Sequence, residues 1–201
     1  MRSPISRAVF TWAILTAPAA VLADSKPHTH DGFFLRLQAG VGGTSATNDA
    51  VPEITLSGPA GQLSADIGGA VTPNLIIFGK LFGNRTSDPT LKVDDLEVEL
   101  DGFDGVYGGV GAGVSYYFMP VNLFITGALS VASLGLESER FTSDATGGLT
   151  LHLGVGKEWW VSDNWALGVA AELLGGSYPD NDRDDAWRAG SFIVSFSATY
   201  N

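Results

Sequence analysis

Three groups of residues in this sequence have the chemical types from which a reactive or metal-binding site is built. The first is His152 together with the many serines of the chain, the base and nucleophile of acyl-transfer chemistry. No serine stands at a spacing that assigns it to His152. An isolated His or Ser in a strand is ordinarily a packing or hydrogen-bonding residue, so no catalytic residues and no enzyme are expected. The second group is Asp180-Asn181-Asp182-Arg183-Asp184, which has the alternate-residue oxygens of a calcium loop but lacks the Gly and the bidentate Glu that complete one. Asp180, Asp182 and Asp184 are therefore weak metal candidates, and a solvated acidic loop is the expected reading. The third is His28-Thr29-His30, which has no further Cys or His nearby and reads as a solvated terminus. No cofactor is implied.

The elements that would carry these residues are read from periodicity. Leu149-Leu151-Leu153-Val155 and Trp165-Leu167-Val169-Ala171-Leu173 are alternating apolar runs joined by the polar turn Ser162-Asp163-Asn164. The intervening positions include Thr150, His152, Glu158 and Glu172, so one face is apolar and the other polar or charged. The same grammar recurs in Gly32 to Gly42, Gly61 to Val71, Leu75 to Asn84, Phe103 to Phe118, Leu123 to Leu134 and Trp187 to Asn201. Thr72-Pro73-Asn74 and Met119-Pro120-Val121-Asn122 are further short turns. Long connections are expected at Gly43 to Ala60, Arg85 to Gly102, Gly135 to Gly148 and Gly175 to Ala186. The expected fold is all-β: an eight-stranded antiparallel up-and-down transmembrane β-barrel with four long extracellular loops and three short periplasmic turns.

A sheet crosses a bilayer only when it closes on itself, because each backbone donor and acceptor in hydrocarbon needs a partner. The alternative, a soluble ligand-enclosing barrel, requires an apolar interior, whereas here the face opposite the apolar one holds Arg36, Gln38, Asp66, Lys80, His152, Glu158 and Glu172. That list predicts an interior polar network in which Arg36 and Lys80 are paired with Asp66, Glu158 and Glu172, since isolated buried ions are costly. Fold specification is the expected use of the network, and a gated conduction path is the alternative. Phe33, Tyr116, Phe118, Trp159, Trp165 and Tyr200 fall on the outward parity at strand ends on the short-turn side and predict an aromatic girdle. Lys157 and Arg188 are outward charges suited to interfacial anchoring.

Arg2 and Arg7, the apolar stretch Ala8 to Ala20 and the small residues around Ala23 form a signal peptide, residues 1–23, cleaved after Ala23. Residues 24–31 then form a loose periplasmic tail, and 32–201 the barrel. The formal charge of −11 becomes −13 once two of the 11 basic residues leave with the signal. Such acidity argues against nucleic acid as a partner. Absence of Cys excludes intrachain disulfides.

Over nearly all of the mature chain the arrangement resembles the small outer-membrane barrels of the OmpA, OmpX and OmpW kind. GFFLRLQAGVGG, the Tyr116-Tyr117-Phe118-Met119-Pro120 turn and VSDNWALGVAAEL carry the resemblance. It implies a bacterial outer-membrane location, contact with outer-membrane lipids and lipopolysaccharide, and recognition by the barrel assembly machinery. Such barrels usually end in an aromatic residue, whereas here Asn201 follows Tyr200. The implied role is structural or surface-interacting, with acidic loops presented to extracellular ligands. A narrow channel for small apolar or cationic solutes is the alternative, and a lipid-modifying outer-membrane enzyme the third.

Overall fold

The computed structural model describes residues 28–48, 52–94, 96–138, 141–142 (backbone only), 146–179 and 186–201. The strands are β1 (Phe33–Asn48), β2 (Ile54–Thr72), β3 (Leu75–Ser87), β4 (Thr90–Val93), β5 (Leu96–Glu99), β6 (Phe103–Phe118), β7 (Leu123–Ser138), β8 (Phe141–Thr142), β9 (Thr146–Trp160), β10 (Trp165–Pro179) and β11 (Ala186–Tyr200). Eight of them, β1, β2, β3, β6, β7, β9, β10 and β11, pair antiparallel with their neighbours in sequence order. The ring closes where β1 pairs with β11, from Leu35↔Tyr200 to Asn48↔Trp187. Closure removes both sheet edges through the depth of a bilayer, which is the condition for crossing one.

Alternation decides the two surfaces. Leu37, Val41, Leu63, Ile67, Ile77, Leu81, Leu151, Leu153, Val169 and Phe196 all point outward, while Arg36, Asp66, Lys80, His152, Glu158 and Glu172 are buried inside. Bulky lumen rings are admitted by inward glycines on the facing strand. A Cβ at Gly113 would lie 2.7 Å from Phe78 Cζ, and one at Gly156 would lie 2.3 Å from Phe124 Cζ.

The short-turn end follows the expected chemistry. Asn74 (φ 67°) and Asn122 (φ 51°) occupy left-handed turn positions, which Asn tolerates because its short amide bonds locally. The other end differs from expectation. The predicted loops at Gly43 to Ala60 and Gly135 to Gly148 are largely strand: β1 runs to Asn48, β2 begins at Ile54, β7 runs to Ser138 and β9 begins at Thr146. β1 and β7 have 16 residues each, against the ~9–11 that cross a bilayer. Above the lipid both faces of the sheet meet water, so Gly, Ser and Thr continue the ladder without the alternation that marks a membrane strand.

Leu91-Val93 and Leu96-Val98-Leu100 alternate with charges, which suggests an arm prolonging β3 and β6. The arm exists as the β4–β5 hairpin, but it attaches elsewhere: β4 pairs with β2, from Ile54↔Val93 to Ser57↔Thr90. The predicted fourth loop shrinks at both ends, to residues 180–185, and these lie outside the described part, as do the candidate metal residues Asp180, Asp182 and Asp184. Residues 1–27, with the expected signal peptide and its cleavage position, also lie outside it.

Candidate functional site: the barrel lumen

Ascending from the short-turn end, the lumen is filled layer on layer. Arg36 of β1 is fully buried, and its Nη2 donates to Tyr117 Oη (2.7 Å) and Ser115 Oγ (3.3 Å). Its Nη1 lies 3.6 Å from Asp66 Oδ2 and its Nε 3.6 Å from Glu158 Oε1. Those two distances exceed hydrogen-bond length, and neither nitrogen has another partner, so the pairs are charge contacts. The guanidinium also lies 4.0 Å from the Phe124 ring centroid, so an aromatic face replaces part of its lost hydration. Glu158 is better satisfied: it accepts from Thr199 Oγ1 (2.7 Å), Ser197 Oγ (3.2 Å) and Tyr117 Oη (3.1 Å).

One layer higher, Lys80 Nζ lies 3.4 Å from Asp66 Oδ1 and 3.0 Å from Glu172 Oε1. Asp66 thus links the two cations. Glu172 also accepts from Gln62 Nε2 at 2.9 Å. Gln38 stands apart from this chain of charges, bonded to Ser195 (3.2 Å) and Ser64 (3.4 Å). Arg36, Asp66, Lys80, Glu158 and Glu172 therefore form one connected set.

His152 belongs to that set and acquires the serine that spacing alone did not assign. Its Nε2 lies 3.1 Å from Ser130 Oγ on β7, and its Nδ1 lies 3.1 Å from Glu172 Oε1. Register explains the meeting: Ala128 on β7 is opposite His152, and Ser130 is the next inward residue. The series Ser130–His152–Glu172 has the connectivity of a nucleophile, base and orienting acid. All three side chains are buried, Glu172 is shared with Lys80, and neither Ser130 nor His152 lines the mouth cavity or any of four grooves along the wall.

Above the charges lies an aromatic layer. Phe82 meets the His152 ring edge-on at 4.6 Å and Tyr107 at 5.3 Å, and Tyr107 meets Tyr178 at 5.8 Å. Thr150 Oγ1 bonds both phenols, Tyr107 at 3.0 Å and Tyr178 at 2.6 Å. Tyr178 is an inward residue, and Trp187 is half-buried against the same cluster. The Phe141 side chain lies outside the described residues. Over this floor sits a cavity of about 270 Å³ whose walls include Ala46, Leu56, Leu134, Tyr107 and Trp187, with Thr44 and Thr86 among them. Sequence reasoning missed this cup because part of its wall, Thr44, Ala46, Leu56 and Thr86 among it, lies in strand extensions expected to be loops.

At the short-turn end Phe33, Tyr116, Phe118, Trp159 and Trp165 are exposed on the outer wall, with Tyr200 half-exposed beside them. They group in pairs: Phe33–Tyr200 at 6.2 Å, Trp165–Tyr200 at 5.3 Å and Tyr116–Phe118 at 5.0 Å. Lys157 sits over Trp159 at 5.4 Å and donates to the Val121 carbonyl. An amphipathic ring row with a cation beside it is the arrangement of a membrane–water boundary.

A closed eight-stranded sheet, apolar outside and ion-paired within, is a transmembrane β-barrel, and its fold is that of the small bacterial outer-membrane barrels. Among solved structures, the chain is similar to Neisserial surface protein A, with 16% identity and a TM-score of 0.52 over 85% of this chain and 97% of that one. Ail, the attachment invasion locus protein of Yersinia pestis, aligns in its complex with the heparin analogue sucrose octasulfate at 13% identity and TM-score 0.47, covering 84% and 99%. The outer membrane protein OprG from Pseudomonas aeruginosa aligns at 11% and 0.46, covering 88% and 100%. No protein-family model matches the sequence. No curated protein matches it either.

Proposed function

We propose that this chain is an outer-membrane barrel of a Gram-negative bacterium with a structural or surface-interaction role, its lumen plugged by its own side chains. Residues 1–23 serve export and are removed after Ala23, the girdle and Lys157 contact membrane lipid, and Arg188 lies toward lipopolysaccharide. The assembly machinery inserts the barrel, and the acidic extracellular rim meets extracellular ligands. One observation carries the reading: from Arg36 to Tyr178 the lumen is filled by paired charges and interlocked rings. Eight strands leave room inside for side chains and little else.

The test is conductance in planar bilayers. Purified barrel should insert and give no steady current, whereas reproducible unitary steps in symmetric salt would contradict the plugged lumen. A second reading, handling of small apolar solutes, draws support from the apolar cup at the mouth. It predicts that a monoaromatic alcohol quenches Trp187 fluorescence saturably, and that Trp187→Phe removes the quenching.

A further inference from the structure

Residues 28–32 do not hang from the barrel as a loose tail; they enter its short-turn mouth. His30 is fully buried, its ring stacked on Tyr117 with centroids 3.6 Å apart, and it lies 5.1 Å from Trp160. His28 stacks on the other part of the same wall, 4.6 Å from Trp160. The imidazole is gripped on both nitrogens, with Nδ1 2.8 Å from Asn201 Oδ1 and Nε2 2.9 Å from Asn122 Oδ1. The backbone is gripped as well. His30 O accepts from Asn74 N–H, and Gly32 O from Ala70 N–H, each at 2.9 Å. Asn201 is itself fixed, because its N–H donates to Asn164 O (3.0 Å) and its carbonyl accepts from Asn164 Nδ2 (2.6 Å). One residue therefore ties four places: its backbone holds the β2–β3 turn, and its ring meets the β6–β7 turn, the end of β9 and the residue after β11.

We propose that His30 is a proton-operated latch: neutral, it seals the short-turn end of the barrel, and on taking up a proton it withdraws with residues 28–32 and uncovers Tyr117 and the Arg36–Glu158 pair. The surroundings favour the neutral form, because both ring nitrogens meet neutral amides and neither is bonded by a carboxylate. A neutral imidazole offers one N–H and one lone pair, so one amide accepts through Oδ1 while the other turns its NH2 to the ring. The Nδ2 atoms of Asn122 and Asn201 are both buried without another partner, so that turn satisfies one of them and leaves the same amide's Oδ1 unbonded in its place. An imidazolium needs an acceptor at each nitrogen, which leaves both amide NH2 groups unbonded, so each form leaves two amide atoms unsatisfied and burial of the charge decides between them.

The charged and titratable neighbours are few. Glu158 favours the cation and Arg36 opposes it. Tyr117 stacks on the ring, His28 lies across Trp160, and Asp31 is bonded by Thr29 at 3.3 Å. Burial outweighs the amide bonds and Glu158, and it holds the His30 pKa below the ordinary histidine value of 6.5. The sign follows from linkage: the released segment binds the proton more tightly than the docked one. Docking is at full strength above about pH 6.5 and weakens as pH falls from there through the docked pKa.

Amide hydrogen exchange in lipid nanodiscs reads the latch directly, because the Ala70 and Asn74 N–H groups bond to its backbone. Between about pH 6.5 and the docked pKa, their protection, corrected for intrinsic exchange, should fall by up to about tenfold per pH unit. The Tyr117 N–H, bonded to Asn74 O within the barrel, should stay protected. His30→Gln keeps amide hydrogen bonding without a titrating ring and should make the Ala70 and Asn74 protection independent of pH. Flat protection in the wild type, or an equal fall in His30→Gln, would overturn the proposal. Should His30→Gln fail to fold, the wild-type His30 ring carbon shifts decide instead: titration in step with the loss of protection supports the latch, and titration at an ordinary histidine value with protection unchanged refutes it.

Discussion

Arg36 shows what a cation inside a sealed barrel requires. It meets Asp66, Glu158, Tyr117, Ser115 and the Phe124 face in a volume without exposure to solvent. Removing one partner of such a set is more damaging than removing both, because the remaining charge stays buried and unpaired. Arg36→Met should therefore lower unfolding stability in urea and lipid vesicles by about 3–5 kcal/mol. Adding Glu158→Gln to it should recover part of the loss, and a double variant as weak as the sum of its parts would show that the two charges are not coupled. The residue types of this network were legible in the sequence, since Arg36, Asp66, Lys80, Glu158 and Glu172 share the inward parity. Their pairing needed the register, which brings Arg36 opposite Asp66 and Asp66 opposite Lys80. Ser130 was invisible for the same reason: contact between β7 and β9 is set by strand pairing, not by any local spacing. The burial of His30 is not legible, because a histidine in a polar stretch carries no sign of it, although Asn74 and Asn122 at left-handed turn positions are part of what receives the residue.

At the scale of elements, membrane strands announced themselves by apolar alternation, and that signal stops where lipid stops. The ends of β1, β2, β7 and β9 above the bilayer therefore read as loops in the sequence, and the β4–β5 hairpin reads as a prolongation of β3 and β6 although it pairs with β2. This hairpin is an appendage of the ring. β3 and β6 remain paired up to Ser87↔Asp104 without it, and Arg85 and Ser87 bind Asp104 at 2.6 and 2.9 Å just below. Replacing residues 90–100 with a short Asn-Gly turn should leave the barrel folded. Heat-modifiable migration on gels should be unchanged, while a variant that no longer shifts on boiling would show that the arm is needed for closure.

The whole molecule is an inside-out arrangement in which oily side chains form the outer wall and ion pairs fill the lumen. Closure explains why that is stable, since the sheet keeps no edge at bilayer depth and the lumen charges are neutralised from several strands at once. The most direct measurement is a single-cysteine scan along β10 from Ala166 to Leu174, possible because the chain has no native Cys. Nitroxide labels in lipid vesicles, probed by collision with a lipid-soluble relaxant such as oxygen, should report alternating access. Leu167, Val169, Ala171 and Leu173 should be reached from the acyl chains, and Ala166, Gly168, Ala170, Glu172 and Leu174 should be shielded. A scan without that period of two, or one with the two sets exchanged, would contradict the account.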